Sequence, residues 1–288
     1  PSYEENCLVN AMCVGLLEEG SLVKGLAAGE GNVVFLVGAR TGREGIHGAA
    51  FASEELSEAS ESKVTAVQVG DPFLAKILME ACLEALKTGY VVGMQDLGAA
   101  GIISSSAEMA SRAGTGMEVN VDLIPCREPG MTPYEILLSE TQERMLLVVE
   151  KGKEAEVEAV FRKWDVGIAK IGQVTADGLM TFKKGDEVVA QVTAAALTEQ
   201  CPLYEPEARQ PEYLVSAQEY DLDTLPEMED YGKALLTLLG TPSLASKEWV
   251  FEQFDYLAGD NTVLTPGNGA AVLKIKDYIT NPKSNGYS

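Results

Sequence analysis

From about residue 30 to residue 200, segments in which apolar residues recur with the period of a β-strand alternate with segments in which they recur with the period of a helix. Apolar runs, or strict apolar–polar alternation, predict β-strands, and apolar residues three or four positions apart predict helices. The predicted strands are 33–37, 64–69, 90–95, 117–123, 144–150 and 168–174, followed by a hairpin of 179–182 and 187–192 around Gly185 and Asp186. Such alternation of strands and helices is typical of an α/β or α+β domain.

Capping residues predict where the helices begin. The predicted helices start at Pro72, Ser104, Pro133 and Lys153, and the first two end near Gly89 and Gly114. Asp71 is expected to cap the first helix, because an Asp side chain accepts from the free N–H groups of a helix start. Thr132 and Glu135 have the spacing of a capping box.

The chain changes character after residue 201. Residues 202–230 combine four prolines with many acidic residues, a composition that favours an extended linker. Helical spacing resumes at Tyr231 and again at 246–257, where Ser246 is the expected cap. Residues 270–275 have the pattern of a further strand. We therefore expect a second domain to begin after the linker.

Composition excludes several classes of function. The net charge is −22, which is opposite to the basic surface that nucleic-acid binding requires. Hydrophobic residues make up 46% of the chain, enough for a packed core. No apolar run reaches the ~18 residues of a membrane span, so we expect no membrane partner. An acidic protein that handles phosphates needs Mg²⁺ or local arginines to offset repulsion.

The five cysteines are scattered and form no CxxC pair. This argues against a zinc site or a disulfide framework and favours a reducing cytoplasm. A single histidine also disfavours a histidine-based metal site.

Residues 38–51 form a glycine-rich loop after the first predicted strand. Four glycines surround two arginines and the only histidine, His47. Glycine lets the backbone approach a ligand closely, and an arginine such as Arg43 can hold phosphate with a bidentate fork. The loop is therefore a candidate phosphate site, and the alternative is an ordinary glycine-rich surface loop.

Three further polar segments lie next to predicted strands. Gln68 stands just before a helix start, where free N–H groups favour anions, although the helix can be capped without any ligand. Asp96 ends a predicted strand, a usual place for Mg²⁺ ligands, although an Asp often merely starts a turn. The run 139–144 is polar ahead of an apolar strand; it can hold a polar substrate, or be only a polar strand entry.

These segments, in this order, resemble phosphoribosylformylglycinamidine synthase, also called formylglycinamide ribonucleotide amidotransferase, in its synthetase subunit of the small bacterial type. The match extends over most of the chain, and the set is far more specific than any single motif. The resembling segments are 38–56, 68–73, 95–101, 104–109, 138–149, 245–250 and 261–267.

The resemblance implies two tandem halves, each with an N-terminal and a C-terminal domain, of which this chain is a middle fragment. The implied C-terminal domain is that of an aminoimidazole-ribonucleotide-synthetase-like half. The expected segments are 1–30, the end of the first N-terminal domain; 31–201, the first C-terminal α/β domain; 202–230, the linker; and 231–288, the beginning of the second N-terminal domain. Residues 277–288 depart from the family's pattern.

The resemblance also implies the ligands. It makes Asp96 a Mg²⁺ ligand and assigns substrate contacts to Gln68, Glu140, Thr141 and Gln142. Our own loop argument adds Arg43 and His47 as candidates for the substrate phosphate. The family's histidine base and most of its ATP-binding residues have no counterpart here, so no catalytic residue is assigned and His47 is not given that role.

The implied enzyme is a ligase that forms C–N bonds. With ATP, Mg²⁺ and glutamine-derived ammonia it converts formylglycinamide ribonucleotide to the amidine in purine biosynthesis, together with a glutaminase subunit and a small accessory subunit. We expect the fragment alone to be inactive. The alternatives are aminoimidazole ribonucleotide or selenophosphate synthetase, which the run 140–142 and the linker disfavour, and a non-catalytic assembly fragment.

Overall fold

The computed structural model describes residues 14–46, 68–254, 256–257 and 261–274. The chain divides into two compact units after Leu203. The strands of the first unit are β1 Val33–Gly38, β2 Val91–Asp96, β3 Gly116–Asn120, β4 Arg144–Val149, β5 Ile168–Thr175, β6 Leu179–Lys184 and β7 Glu187–Thr193. Its helices are α1 Pro72–Leu86, α2 Gly101–Ala113, α3 Pro133–Leu138 and α4 Glu154–Lys163.

The seven strands form one mixed sheet in the order β2-β4-β1-β5-β3-β6-β7. Neighbouring strands are antiparallel except β3 and β6, which are parallel. In the register of the sheet, Gly38 lies opposite Arg144 and Asp96 lies opposite Met145. The C-terminal ends of β1 and β2 and the start of β4 therefore meet at one end of the sheet.

Strand β1 is buried on both faces. Val33, Phe35 and Val37 belong to a core cluster with residues of α1 and α4. Val34 and Leu36 belong to a second cluster, with residues of α2 and α3 on the opposite face. Side chains of a strand alternate between faces, so a strand covered on both sides needs a continuous apolar run. The buried strand predicted at 33–37 is confirmed.

The two helix caps predicted in the first unit are confirmed. The Asp71 carboxylate accepts from the backbone N–H groups of Phe73 and Leu74 at 3.1 and 3.0 Å. At α3, the Thr132 hydroxyl accepts from the N–H of Glu135 at 3.2 Å, and the Glu135 carboxylate accepts from the N–H of Thr132 at 2.7 Å. Both helices therefore start at positions that local chemistry sets.

Two predicted strands need correction or lie outside the structure. The strand predicted at 117–123 ends at Asn120, because the Asn120 side chain accepts from the N–H of Asp122 and starts a 3₁₀ turn at 121–123. The strand predicted at 64–69 lies outside the described residues up to residue 67, and residues 68–70 are irregular.

Two helix boundaries also differ from the predictions. Helix α1 ends at Leu86, because Gly89 lies in the following turn with φ +76° and donates its N–H to the Leu86 carbonyl at 3.1 Å. Helix α2 begins at Gly101, three residues earlier than expected, and its first turn buries the apolar side chain of Ile102. Its end at Gly114 agrees with the prediction.

The second unit contains shorter elements. They are α5 Glu212–Gln218, α6 Tyr231–Leu239, α7 Glu248–Phe251 and the antiparallel pair β8 Thr262–Leu264 and β9 Val272–Leu273. The helix predicted from Tyr231 is confirmed. None of the helices among the described residues of either unit has the length and apolar character needed to cross a bilayer.

Three details of the second unit differ from expectation. The extended linker contains the helix α5. Helix α7 is shorter than the predicted 246–257, and its N-cap position is Lys247, although the Ser246 hydroxyl accepts from the N–H of Glu248 at 3.2 Å. The strand expected at 270–275 is regular only in β9. The predicted segment boundaries remain predictions.

Candidate functional site

Most of the predicted site residues that the structure describes lie at one end of the sheet. Asp96 is the last residue of β2, and residues 140–142 come just before the start of β4. Gln68 reaches this place from the segment before α1, and its side-chain amide donates to Glu140 Oε2 at 2.7 Å. The fold thus joins two residues that are 72 positions apart in the chain.

Glu140 is the centre of this contact. The residue is 3% exposed, and the second oxygen of its carboxylate accepts from the backbone N–H of Ala100 at 3.0 Å. Ala100 has φ +58° and immediately precedes α2. A buried carboxylate needs such donors, because removing it from water is otherwise costly. Glu140 therefore ties the segment of Gln68 to the start of α2.

Thr141 is turned into the protein. Its hydroxyl accepts from the N–H of Gly42 at 2.9 Å and donates to the Glu44 carboxylate at 2.8 Å. The Ser139 hydroxyl lies 2.9 Å away on a third side. A hydroxyl has one donor and two acceptor positions, so all three are used. The Thr141 side chain therefore holds the loop, and its hydroxyl has no free hydrogen-bonding position for a ligand.

Gln142 and Asp96 line an open cavity of about 380 Å³. The Gln142 amide donates to the Glu140 carbonyl at 2.9 Å. Asp96 is exposed, with the Gln95 amide 3.4 Å from one carboxylate oxygen. The apolar lining comes from α1, β2, β4 and the residue after β2: Ala75, Leu78, Met79, Cys82, Leu83, Leu86, Met94, Leu97 and Met145. The cavity thus offers an apolar wall with amide and carboxylate groups at one end.

Asp96 fits a Mg²⁺ ion that is held in part by a ligand. Mg²⁺ takes oxygen ligands, usually one or two carboxylates together with substrate phosphates. In the described part of the chain, no group of three or more His, Cys, Asp or Glu side chains could hold a metal ion alone. One exposed carboxylate at a strand end is what a protein would supply to a Mg²⁺ ion whose other ligands are phosphates and water.

Arg43 of the glycine-rich loop is already paired with two carboxylates. Its guanidinium donates to Glu135 at 2.8 Å and to Glu128 at 2.6 Å, and these bonds, first that to Glu135, raise the pKa of Arg43. These two bonds use two of the five guanidinium N–H groups, and the two carboxylates already offset the positive charge that would attract a phosphate. His47, the other phosphate candidate, lies outside the described residues.

The described part of the glycine-rich loop packs against the run that precedes β4. The Glu140 N–H donates to the Glu44 carbonyl at 2.9 Å. Gly45 has φ +70°, and a Cβ there would lie 2.3 Å from the Glu140 Cβ. Glycine is needed at this position because both the backbone angle and the space exclude a side chain.

Glu135 is expected to make stability depend on pH in the acid range. Hydrogen bonds from Arg43, and then from Thr132, lower the pKa of Glu135 to about 2, below its unfolded value of about 4.3. A group with a depressed folded pKa contributes stability above its unfolded pKa, and that stability is lost as the pH falls through the folded pKa. We expect Glu135→Gln to flatten the pH dependence of the unfolding free energy between about pH 4.3 and pH 2.

Urea unfolding at a series of pH values measures this effect. Glu187→Gln is the matched control, because Glu187 is an exposed carboxylate at the start of β7. An unchanged slope in Glu135→Gln would contradict the expectation.

Sequence reasoning missed three contributors to the site. Glu44 and the backbone N–H of Ala100 gave no distinguishing pattern, since each contacts residues distant in the chain. Arg144 was included in the polar run 139–144, but its own role was not predicted, although it is the charged first residue of an otherwise apolar strand; it is 2% exposed.

Residues 29–184 match the family described as AIR synthase related protein, C-terminal domain. This range coincides with most of the unit that contains the seven-stranded sheet and includes Gln68, Asp96 and the run 140–142. It covers more than half of the chain, which therefore belongs to this family. The α/β fold class expected from the sequence is confirmed.

Full-length relatives carry the name of one enzyme. The chain is 59% identical to phosphoribosylformylglycinamidine synthase subunit PurL of Moorella thermoacetica and 52% identical to that of Caldanaerobacter subterraneus, in each case over 96% of this chain and 38% of the relative. The chain thus spans well under half the length of the curated relatives it matches. The resemblance found in the sequence is confirmed.

This chain is also similar to solved structures of PurL. T. maritima PurL complexed with FGAR is 34% identical, with a TM-score of 0.70 over 90% of this chain and 39% of that chain. T. maritima PurL complexed with ATP is 31% identical, with a TM-score of 0.63 over 90% of this chain and 37% of that one.

Proposed function

We propose that the chain forms part of a phosphoribosylformylglycinamidine synthase, a glutamine-dependent ligase of purine biosynthesis. The reaction converts formylglycinamide ribonucleotide, FGAR, to formylglycinamidine ribonucleotide and is driven by ATP. The observation that carries the proposal is the part-buried hydrogen bond between Gln68 and the buried Glu140, beside the cavity lined by Gln142 and Asp96. The PurL relatives, one of them complexed with FGAR, support it.

The reaction requires that a poor leaving group become a good one. ATP transfers its terminal phosphoryl group to the amide oxygen of FGAR and leaves as ADP. Ammonia then attacks the amide carbon, the C–O bond breaks, and inorganic phosphate leaves. Alignment of the reactants and neutralisation of charge are the main needs of such a step.

The described side chains supply alignment. The amide groups of Gln68 and Gln142 can each donate and accept, and so can orient a polar ribonucleotide. Glu140 fixes Gln68, and the Thr141 hydroxyl fixes the loop. Asp96 would hold Mg²⁺, which when bound neutralises nucleotide phosphate charge.

Arg43 and His47 remain candidates for the phosphate of the ribonucleotide. The chain has a net charge of −22, so a bound phosphate needs a local cation. Arg43 would share its five N–H groups between the phosphate and the carboxylates of Glu128 and Glu135.

The proposed partners are a glutaminase subunit that delivers ammonia and a small accessory subunit, in the cytoplasm. The structure of PurLQS from T. maritima, at 30% identity and a TM-score of 0.65 over 90% of this chain and 38% of that chain, supports a complex of this kind. The acidic charge of the chain disfavours nucleic acid as a partner.

Calorimetric titration of FGAR into the full-length polypeptide tests the substrate. Saturable binding is expected. Absence of binding would contradict a substrate half-site and leave the chain a structural piece of an assembly.

Asp96→Ala tests the metal ligand. We expect Mg²⁺ to increase the affinity of wild-type protein for a non-hydrolysable ATP analogue, and we expect the variant to lose about tenfold of that affinity, since Mg²⁺ takes few protein carboxylates. The measurement is titration of the analogue with and without Mg²⁺. Asp186→Ala, which removes an exposed carboxylate in the turn between β6 and β7, is the matched control. Equal Mg²⁺ dependence in Asp96→Ala and wild type would contradict the assignment.

A further inference from the structure

Arg144 is a buried arginine that uses its donors on the loop before β4 and on the glycine-rich loop. Its Nε donates to the Thr141 carbonyl at 2.8 Å, and one terminal nitrogen donates to the Ser139 carbonyl at 2.6 Å. The other terminal nitrogen donates to the Thr41 hydroxyl at 3.0 Å. One planar group thus holds two segments, separated by 103 positions between Thr41 and Arg144, in one arrangement.

The charge of Arg144 has no direct counter-ion in the described part of the chain. Its hydrogen-bond acceptors there are two carbonyls and one hydroxyl, and no carboxylate lies within ion-pair distance. Burial lowers the pKa of Arg144 to about 10, which still leaves it cationic at neutral pH. A buried charge without a partner is costly, and an apolar residue of similar volume often serves stability as well. Stability alone is therefore a weak reason for an arginine here.

The two carbonyls that Arg144 holds lie on either side of Glu140. Because these two bonds fix the backbone on both sides of Glu140, the orientation of its side chain is restricted, and its carboxylate faces Ala100 and Gln68. The bond to the Thr141 carbonyl also fixes the backbone that leads into Gln142, whose side-chain amide donates to the Glu140 carbonyl. A lysine could not reproduce this, since it offers a point charge and no planar fork.

We propose that Arg144 is a positioning residue. Through its fork of hydrogen bonds to Ser139, Thr141 and Thr41, it holds Glu140 and Gln142 in the geometry that binds the ribonucleotide. The role of the residue in substrate binding rests on the proposed function. Its role in ordering the loop stands on the geometry alone.

The first test measures loop order without any ligand. Amide hydrogen exchange of segments 98–101 and 139–142 is compared in wild type, Arg144→Lys and Thr41→Val, each in the full-length polypeptide. We expect exchange in both segments to be about tenfold faster in Arg144→Lys, with a smaller increase in Thr41→Val, because local protection reports local opening. Arg162→Lys on the exposed face of α4 is the matched control. Unchanged exchange in both site variants would overturn the proposal.

The second test is titration of FGAR into the same proteins, well below the unfolding temperature of each. We expect Arg144→Lys to bind about tenfold more weakly, since a single ammonium nitrogen replaces the three nitrogens of a planar fork, with no effect of Arg162→Lys. A purely structural role would lower the unfolding temperature and leave the affinity of the folded protein unchanged, which would overturn the proposal. If wild type itself binds no FGAR, the proposed function fails, and hydrogen exchange alone decides whether Arg144 orders the loop.

Discussion

Replacing Glu140 by alanine is expected to lower the affinity for FGAR by about 100-fold, because two hydrogen bonds to a carboxylate are lost at once. One anchors the amide of Gln68 and the other the backbone N–H of Ala100. Without them Gln68 is free to rotate, and the donor of Ala100 has lost its acceptor. The polar end of the cavity, where the amide and carboxylate groups lie, would then lack a fixed geometry.

Titration calorimetry of FGAR into Glu140→Ala and Glu140→Gln measures this effect. The carboxamide of the glutamine variant has one oxygen, so it can accept only one of the two bonds, and we expect an intermediate loss. Glu150→Ala is the matched control, since Glu150 is exposed at the other end of β4. If Glu140→Ala binds as tightly as wild type, Glu140 has no part in the substrate site.

Gly38→Ala is expected to destabilise the first unit by about 3–5 kcal/mol, because two effects act together. Gly38 has φ +106°, a region that side chains rarely adopt. A Cβ there would also lie 2.0 Å from the backbone carbonyl oxygen of Glu143, which cannot rotate away. That carbonyl accepts from the N–H of Ala39 at 2.9 Å, so the clash falls on the junction of β1 and β4.

The free energy of unfolding in urea measures this loss. Gly178→Ala is the matched control, because Gly178 has φ +72° and no atom within 4 Å of a new Cβ. The control should lose only about 1 kcal/mol from backbone strain. Equal losses in the two variants would show that the contact with Glu143 is unimportant.

Both predictions concern a site built by close backbone approach. Ala100 and Glu143 are two of the three described non-glycine residues with positive φ, at +58° and +55°. Strained residues of this kind persist only where surrounding contacts hold them, and they cluster at functional sites. Ala100 is held by Glu140, and the Glu143 carbonyl is held by Ala39.

Local patterns predicted much of the first unit because they act over a few residues. The apolar run 33–37 and the capping residues Asp71 and Thr132 were read correctly, since strand burial and helix caps depend on neighbours in the chain. The end of β3 was missed because the Asn120 side chain competes with strand pairing. Alternation of apolar residues carries no information on such a bond.

The sequence by itself determined most strands and both caps of the first unit, the family and the candidates Gln68, Asp96 and 140–142. Only the tertiary structure decided what these side chains do. It turned the Thr141 hydroxyl inward, occupied Arg43 with two carboxylates and joined Gln68 to Glu140. The reason is physical: these contacts link residues 72 to 97 positions apart, so they depend on strand order and register, whereas periodicity and capping depend on neighbours.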